Sequence, residues 1–274
     1  MISRFPLRMA ARELRASGRR LALFLASVSV GVAAIVAVEG FKANAIDSLE
    51  AQGRRLLGAD LELQSRFPFS AEVEAVLDSV VRTGSAVARA RSLPTMVASA
   101  STGRTALLAV RAIDPAFPFY GSIETEPAGS WPALEREGVA LAEHAALVRL
   151  DLAPGDTVRI GGVELAVAAL VRAVPGDPGI RSAVNPRLYV THADLDRSEL
   201  IQPGSLVGYR AYLSFPEEGD LGDFLRRHAP TLRGASVTWD TARERERDLA
   251  RALDALGRFL GLAGLGALLL GGIG

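Results

Sequence analysis

The chain contains no cysteine, which excludes disulfides, iron–sulfur clusters, thiolate zinc sites and cysteine nucleophiles. It carries no net charge, with 31 Lys and Arg against 31 Asp and Glu, so nothing in it suggests a nucleic-acid partner. Histidine is scarce: His144, His192 and His228 are the only three. No two stand four residues apart and no HExxH occurs, so we read them as separate surface or half-buried side chains rather than zinc ligands. A GxSxG nucleophile elbow and a GxxxxGK[ST] phosphate loop are both absent. Asp177, Asp194 and Asp196 fall near loops and a helix start, and turn and capping roles account for Asp177 and Asp194. The sequence therefore offers no catalytic, cofactor-binding or metal-binding residue, and no cofactor is expected.

What the chain does have is two uncharged apolar runs. Leu21 to Val38 is 18 residues without a charge, about 27 Å of helix against a hydrocarbon core of about 30 Å. Phe259 to Gly274 is also uncharged and lasts until the sequence stops. The first run exceeds the h-region of a signal peptide, which favours an anchor. We expect the N-terminal piece of a longer polytopic membrane protein, with residues 21–38 as one transmembrane helix and 259–274 as a truncated second. Arg4, Arg8, Arg12, Arg15, Arg19 and Arg20 precede the first run, and only Lys42 follows it closely. By the positive-inside rule residues 1–20 are cytoplasmic and the middle of the chain is exported.

Two amphipathic helices are expected to carry that middle region as stalks. Over 39–57, Phe41, Ala45 and Leu49 share a stripe; over 241–258, Leu249, Leu253 and Leu256 do. These six form an expected coupling face. The run Arg243 to Asp248 reads as a solvated helix face with weak local pairs. Small residues at four-residue spacing, Ser27 with Gly31 and Gly257 with Gly261, suit close helix packing in lipid. Neither apolar run carries a charge that would serve as a proton relay or ion site.

Between the stalks the pattern predicts an α+β fold. Ala59–Gln64 alternates as a strand, and Ser70 caps a helix to about Thr83. Strands follow at 86–99 and 105–113. A second module has a strand at 138–143, a helix at 144–150, a hairpin turned at Gly161-Gly162, a strand at 187–190 and a helix start at Thr191. A Pro- and Gly-rich loop covers 175–186. The chain then returns with a strand at 209–215, a short helix at 220–228 and a strand at 235–239. We assign 58–127 with 204–240 to one exported subdomain and 128–203 to an inserted one.

This layout, together with Leu57–Glu62 (LGADLE), Ala112–Gly121 (AIDPAFPFYG), Pro154–Val158 (PGDTV), Asn185–Leu188 (NPRL) and Ile201–Ser205 (IQPGS), resembles the FtsX/MacB/LolC-type permeases of ABC systems, most narrowly the YbbP branch. The resemblance covers essentially the whole chain. It implies a mixed α/β periplasmic domain of the MacB type, with a porter-like β-α-β layer and an inserted lobe. It implies a permease subunit in the bacterial inner membrane, acting as a dimer with a separate cytoplasmic ATPase. It further implies that motion passes up the stalks to a domain that acts on lipids, lipoproteins or other hydrophobic molecules, and the branch implies a periplasmic esterase-type partner. Hydrolysis of ATP would reside in the other subunit. Two rival classes share parts of this layout: a membrane-anchored sensor or scaffold without transport activity, and a tethered hydrolase, which the missing catalytic constellation disfavours.

The topology is testable with single cysteines at Ser17 and Ser182. An impermeant thiol reagent on intact spheroplasts is expected to label position 182 and not 17. The reverse pattern contradicts the assignment.

Overall fold

The computed structural model describes residues 57–175 and 185–245, with isolated helical positions on either side, among them Ser29, Ala33, Val36, Gly40, Arg54, Arg247, Arg251 and Ala255. The chain divides into two units, Gln52–Arg245 and Met1–Ala51 with Glu246–Gly274. Of the second, only such scattered positions are described. Phe41, Ala45, Leu49, Leu249, Leu253 and Leu256 of the expected coupling face lie outside the described residues, as do Ser27, Gly31, Gly257 and Gly261. Among the described residues no helix is long and apolar enough to cross a membrane.

The larger unit is a mixed α/β domain. Its elements are β1 (Leu61–Ser65), α1 (Ala71–Arg82), β2 (Ala86–Ser99), β3 (Thr105–Ile113), β4 (Glu124–Glu126), a 3-10 turn (Trp131–Glu135), β5 (Val139–Glu143), α2 (His144–Leu150), β6 (Thr157–Ile160), β7 (Val163–Ala173), β8 (Arg187–Val190), α3 (His192–Arg197), β9 (Gly208–Ser214), α4 (Glu218–Gly234) and β10 (Thr238–Thr241). The strands pair in the order β10-β1-β9-β2-β3-β8-β5-β7-β4, with β6 between β2 and β7. Only β3–β8 and β5–β7 are parallel.

The 14-residue strand β2 organises this sheet. Its residues 86–92 pair with β9, 90–98 with β3 and 97–99 with β6. Because β6 also pairs with β7, the path β2-β3-β8-β5-β7-β6 returns to β2 and closes into a six-stranded ring. Period-2 alternation sends Val97, Leu108, Val110, Val158, Ile160, Leu165, Val167, Leu188 and Val190 into one apolar cluster. Leu147 and Leu150 of α2 and Leu195 of α3 join it.

The open wing, β10-β1-β9 with the first half of β2, is covered on one face by α1 and α4. Ser70 caps α1 by accepting from the Val73 amide, and Val73, Leu77 and Val80 recur on one buried face. They pack with Leu61, Leu63, Ala211, Leu213, Phe224 and Leu232. The opposite face is covered by the 114–135 segment. Phe117 packs at a tilt on Tyr212 of the wing with centroids 4.4 Å apart, and Trp131 meets Tyr189 of β8 edge-on. The Trp131 indole donates to the Phe117 carbonyl at 2.7 Å.

Most element boundaries match the sequence pattern, and two do not. The helix expected at 220–228 runs on through Pro230 to Gly234. Proline removes one helix bond, but continuation buries Leu232 completely and lets its carbonyl accept from Val237. The strand expected at 235–239 is displaced to 238–241, because Ser236 takes a left-handed φ of 56° and turns the chain first. The Gly161-Gly162 hairpin forms as expected. Gly161 has φ 51°, and a Cβ there would overlap the Ser198 carbonyl.

Asp194 does more than cap α3. It is fully buried; besides the reciprocal bonds with Thr191 it accepts from the Gly138 amide at 3.0 Å and pairs with Arg197. It thereby fixes α3 to the start of β5. Asp194→Ala strands these donors and is expected to cost about 2–3 kcal/mol. Asp196→Ala, at an exposed carboxylate, is expected to cost under about 1 kcal/mol. Urea unfolding of the chain measures both; equal costs contradict the anchoring role.

Candidate functional site

The described structure contains the two points where the sheet meets its flanking segments, and both converge on β1. Leu57 is the last helical residue before Gly58, whose φ is 71°. A Cβ at Gly58 would lie 2.9 Å from the Phe117 ring, so the close approach needs glycine. Asp60 follows, 4% exposed. One carboxylate oxygen pairs with Arg54 Nε at 3.0 Å; the other accepts from the Tyr120 hydroxyl and the Phe215 amide, both at 2.8 Å. Burial and the bond to Asp60 push the Tyr120 phenol up to about 12. The Ala112–Gly121 and Leu57–Glu62 segments, noted separately in the sequence, are thus joined through Tyr120–Asp60 and the Phe119 amide on the Gly58 carbonyl.

Two residues on, Glu62 is equally buried. Its Oε1 takes Arg210 Nε at 3.0 Å and the Tyr212 hydroxyl at 3.2 Å; its Oε2 pairs with Arg245. Strand pairing sets Tyr212 and Asp240 on either side of Glu62. Arg245 lies in the first turn of the helix after β10, where Thr241 and Glu244 form reciprocal capping bonds. Arg245 reaches both Glu62 and Asp240. This corrects the expected solvated face of the 243–248 run at Arg245. Pairing of β10 with β1 brings this side chain over a buried carboxylate, which outcompetes local helix pairs.

The polar chain continues inward. Arg111 on β3 donates to the Tyr212 hydroxyl, and its buried Nε has no acceptor among the described residues. Next to it in register on β8, Tyr189 donates to Glu143 at 3.1 Å, and Arg187 pairs with the same carboxylate. Burial raises both the Tyr189 and the Tyr212 phenols, so each stays a neutral donor.

A second place with polar side chains is a cleft of about 300 Å³ between α1 and α3, lined by Pro68, Phe69, Glu74, Arg89, Ala90, Arg91, Asp114, His192 and Tyr209. His192 stands 3.3 Å from Asp114. Burial opposes ionisation of Asp114, but bonds from His192 and the Arg89 amide win and hold its carboxyl below the ordinary range. His144 and His228 lie elsewhere, His144 beside Leu147 and Val148 in an open hollow and His228 against Phe224. Among the described residues no group of His, Asp and Glu is arranged to hold a metal ion. Asp177 lies outside the described residues, and Asp196 pairs with Arg91 rather than with another carboxylate.

No protein-family model matches the chain. It is 29% identical over 245 residues to the uncharacterized ABC transporter permease YbbP of Escherichia coli strain K12, an alignment covering 89% of this chain and 29% of that protein. The chain resembles the FtsX/MacB-type permeases. It spans under a third of that relative's length. Among solved structures, the periplasmic region of MacB from Actinobacillus actinomycetemcomitans matches at TM-score 0.49 and 9% identity, over 72% of this chain and 95% of that one. The extracellular domain of the noncanonic ABC-type transporter YknZ from Gram-positive bacteria matches at TM-score 0.42 and 10% identity, over 66% and 98%. Likenesses this loose carry no functional weight, and the junction geometry stands on its own contacts.

Removing Arg245 leaves Glu62 one guanidinium, from Arg210. Arg245→Ala is therefore expected to cost about 1–2 kcal/mol. Glu62→Ala takes the carboxylate from Arg210 and the buried Tyr212 hydroxyl and leaves Arg245 only Asp240, and is expected to cost about 3–5 kcal/mol. Chemical denaturation of the chain checks both. A silent Arg245→Ala would restore the solvated-face reading.

Proposed function

We propose that the chain is the N-terminal part of a permease subunit of an ABC transporter, placed in the bacterial inner membrane with its mixed α/β domain in the periplasm. The similarity to YbbP along 89% of this chain is the observation that carries this reading. Residues 21–38 and 259–274 act as membrane helices, and 39–57 and 241–258 as the stalks between membrane and domain. A separate cytoplasmic ATPase supplies the energy, and two permease subunits pair. The periplasmic domain acts on lipids, lipoproteins or other hydrophobic molecules, with an esterase-type protein as its periplasmic partner.

The junction supports transmission of motion rather than chemistry. Arg54 is four residues before Gly58, and Arg245 is four after Thr241. Each approaches from one flank, Arg54 to the buried Asp60 just ahead of β1 and Arg245 to the buried Glu62 on it. Displacement of either flank pulls directly on β1, since separating a buried ion pair leaves a charge uncompensated. Leu249, Leu253 and Leu256 on one stalk and Phe41, Ala45 and Leu49 on the other provide the face along which the two stalks move together. Ser27 with Gly31 and Gly257 with Gly261 supply close packing in the membrane.

The test uses the full-length protein with its ATPase, in a complementation assay with ATPase rate measured alongside. Arg54→Ala, Arg245→Ala and Leu253→Ala are expected to abolish complementation while ATP is still hydrolysed. Arg226→Ala, at an exposed pair on α4, is expected to leave both unchanged. Full complementation by all three variants contradicts the transmission reading.

A further inference from the structure

The cleft between α1 and α3 contains a hydrogen-bond arrangement that one protonation state of His192 permits and the other forbids. His192 is the first residue of α3. Its Nδ1 lies 3.2 Å from Arg91 Nε. A guanidinium only donates, so this contact requires Nδ1 to accept, which a neutral ring with its proton on Nε2 allows. That Nε2–H faces the Arg89 carbonyl at 3.2 Å and Asp114 Oδ1 at 3.3 Å. Arg91 also donates to the His192 carbonyl at 3.1 Å and forks onto Asp196 at 2.7 and 3.0 Å. One arginine of β2 thus clasps α3 at three points, one of them the unprotonated ring nitrogen.

The charges around the ring come from four elements. β2 contributes Arg89 and Arg91, α1 contributes Glu74 and Asp78 through Arg89, the segment after β3 contributes Asp114, and α3 contributes Asp196. Four carboxylates face two guanidiniums, so the cluster carries surplus negative charge while His192 is neutral. Imidazole is the side chain that changes charge between about pH 5 and 8.

We propose that His192 is a proton-operated latch between β2 and α3. At neutral pH, Nδ1 accepts from Arg91 and the clasp is closed. Proton uptake at Nδ1 turns the acceptor into a donor that points at Arg91 Nε–H. The guanidinium withdraws from the ring, imidazolium pairs with Asp114, and the cleft opens on the α3 side. Asp194 and Leu195 keep α3 attached to the ring of strands meanwhile. This proposal concerns the domain alone and stands whether or not the chain serves a transporter.

The test is hydrogen exchange at the backbone amides of residues 192–198 in the whole chain, corrected for the intrinsic pH dependence of exchange. Between pH 7.5 and 5.5 the wild-type opening constant is expected to rise ~10-fold, in line with loss of a charged hydrogen bond. In His192→Asn, whose amide oxygen can accept from Arg91 but does not titrate, the rise is expected to vanish. A second measurement does not depend on that variant folding. In His144→Asn/His228→Asn, His192 is the only imidazole, and its titration by NMR is expected to coincide with the loss of protection. An unchanged opening constant in wild type, a rise that persists in His192→Asn, or a titration well separated from the opening overturns the latch.

Discussion

Two buried carboxylates, Asp60 at the entrance to β1 and Glu62 within it, hold the described domain to its flanks. Taking an ionised carboxylate out of water costs several kcal/mol unless charged donors replace the solvent. Asp60, just ahead of β1, and Glu62, on it, obtain those donors from opposite directions in the sequence, Arg54 before the strand and Arg210 and Arg245 after it. Either acid without its arginines would be a fault in the core. The strand therefore reaches a satisfied state only when both flanking segments arrive in the right register. Removing both partners together is expected to be far milder than removing one, because no charge is then left uncompensated.

The rest of the sheet ties β1 to the ring of strands. β9 lies against β1 and carries Arg210 and Tyr212; its other neighbour is β2. β2 in turn is a member of the closed ring, so the wing over α1 and α4 and the ring around the Val110–Val167 cluster share one continuous strand. Arg111, reached through Tyr212, and Tyr189 beside it carry the polar chain into the ring's outer face. Phe117 and Trp131 cover this chain and keep it dry, which strengthens each of its hydrogen bonds.

Much of the fold was legible because the core follows simple periods. Alternation in 86–99 and 105–113, the Gly-Gly turn at 161 and the Ser70 and Thr191 caps each act locally, and each element formed where its pattern lies. The site was far less legible. Glu62 sits at a polar position of an alternating strand, where a two-layer sheet would point it at water. It is buried because the 114–135 segment folds over that face, and a covering segment leaves no mark on β1 itself. Its aromatics, Phe117 and Trp131 in a chain with only 6% aromatic residues, were the available hint. Arg245 was hidden in a run of alternating charges that reads the same whether or not one member reaches a partner 183 residues away. His192 had no local signal at all, since Arg91 is 101 residues distant.

The central claim is that Glu62 and Arg245 interact directly enough to bind the sheet to the helix that follows it. A double-mutant cycle with Glu62→Gln, Arg245→Met and the pair, measured by chemical denaturation, tests this with least interference from lost packing. The account predicts a coupling energy of about 1–3 kcal/mol, with the double variant milder than the sum of the singles. Additivity of the two substitutions to within about 0.3–0.5 kcal/mol would contradict it.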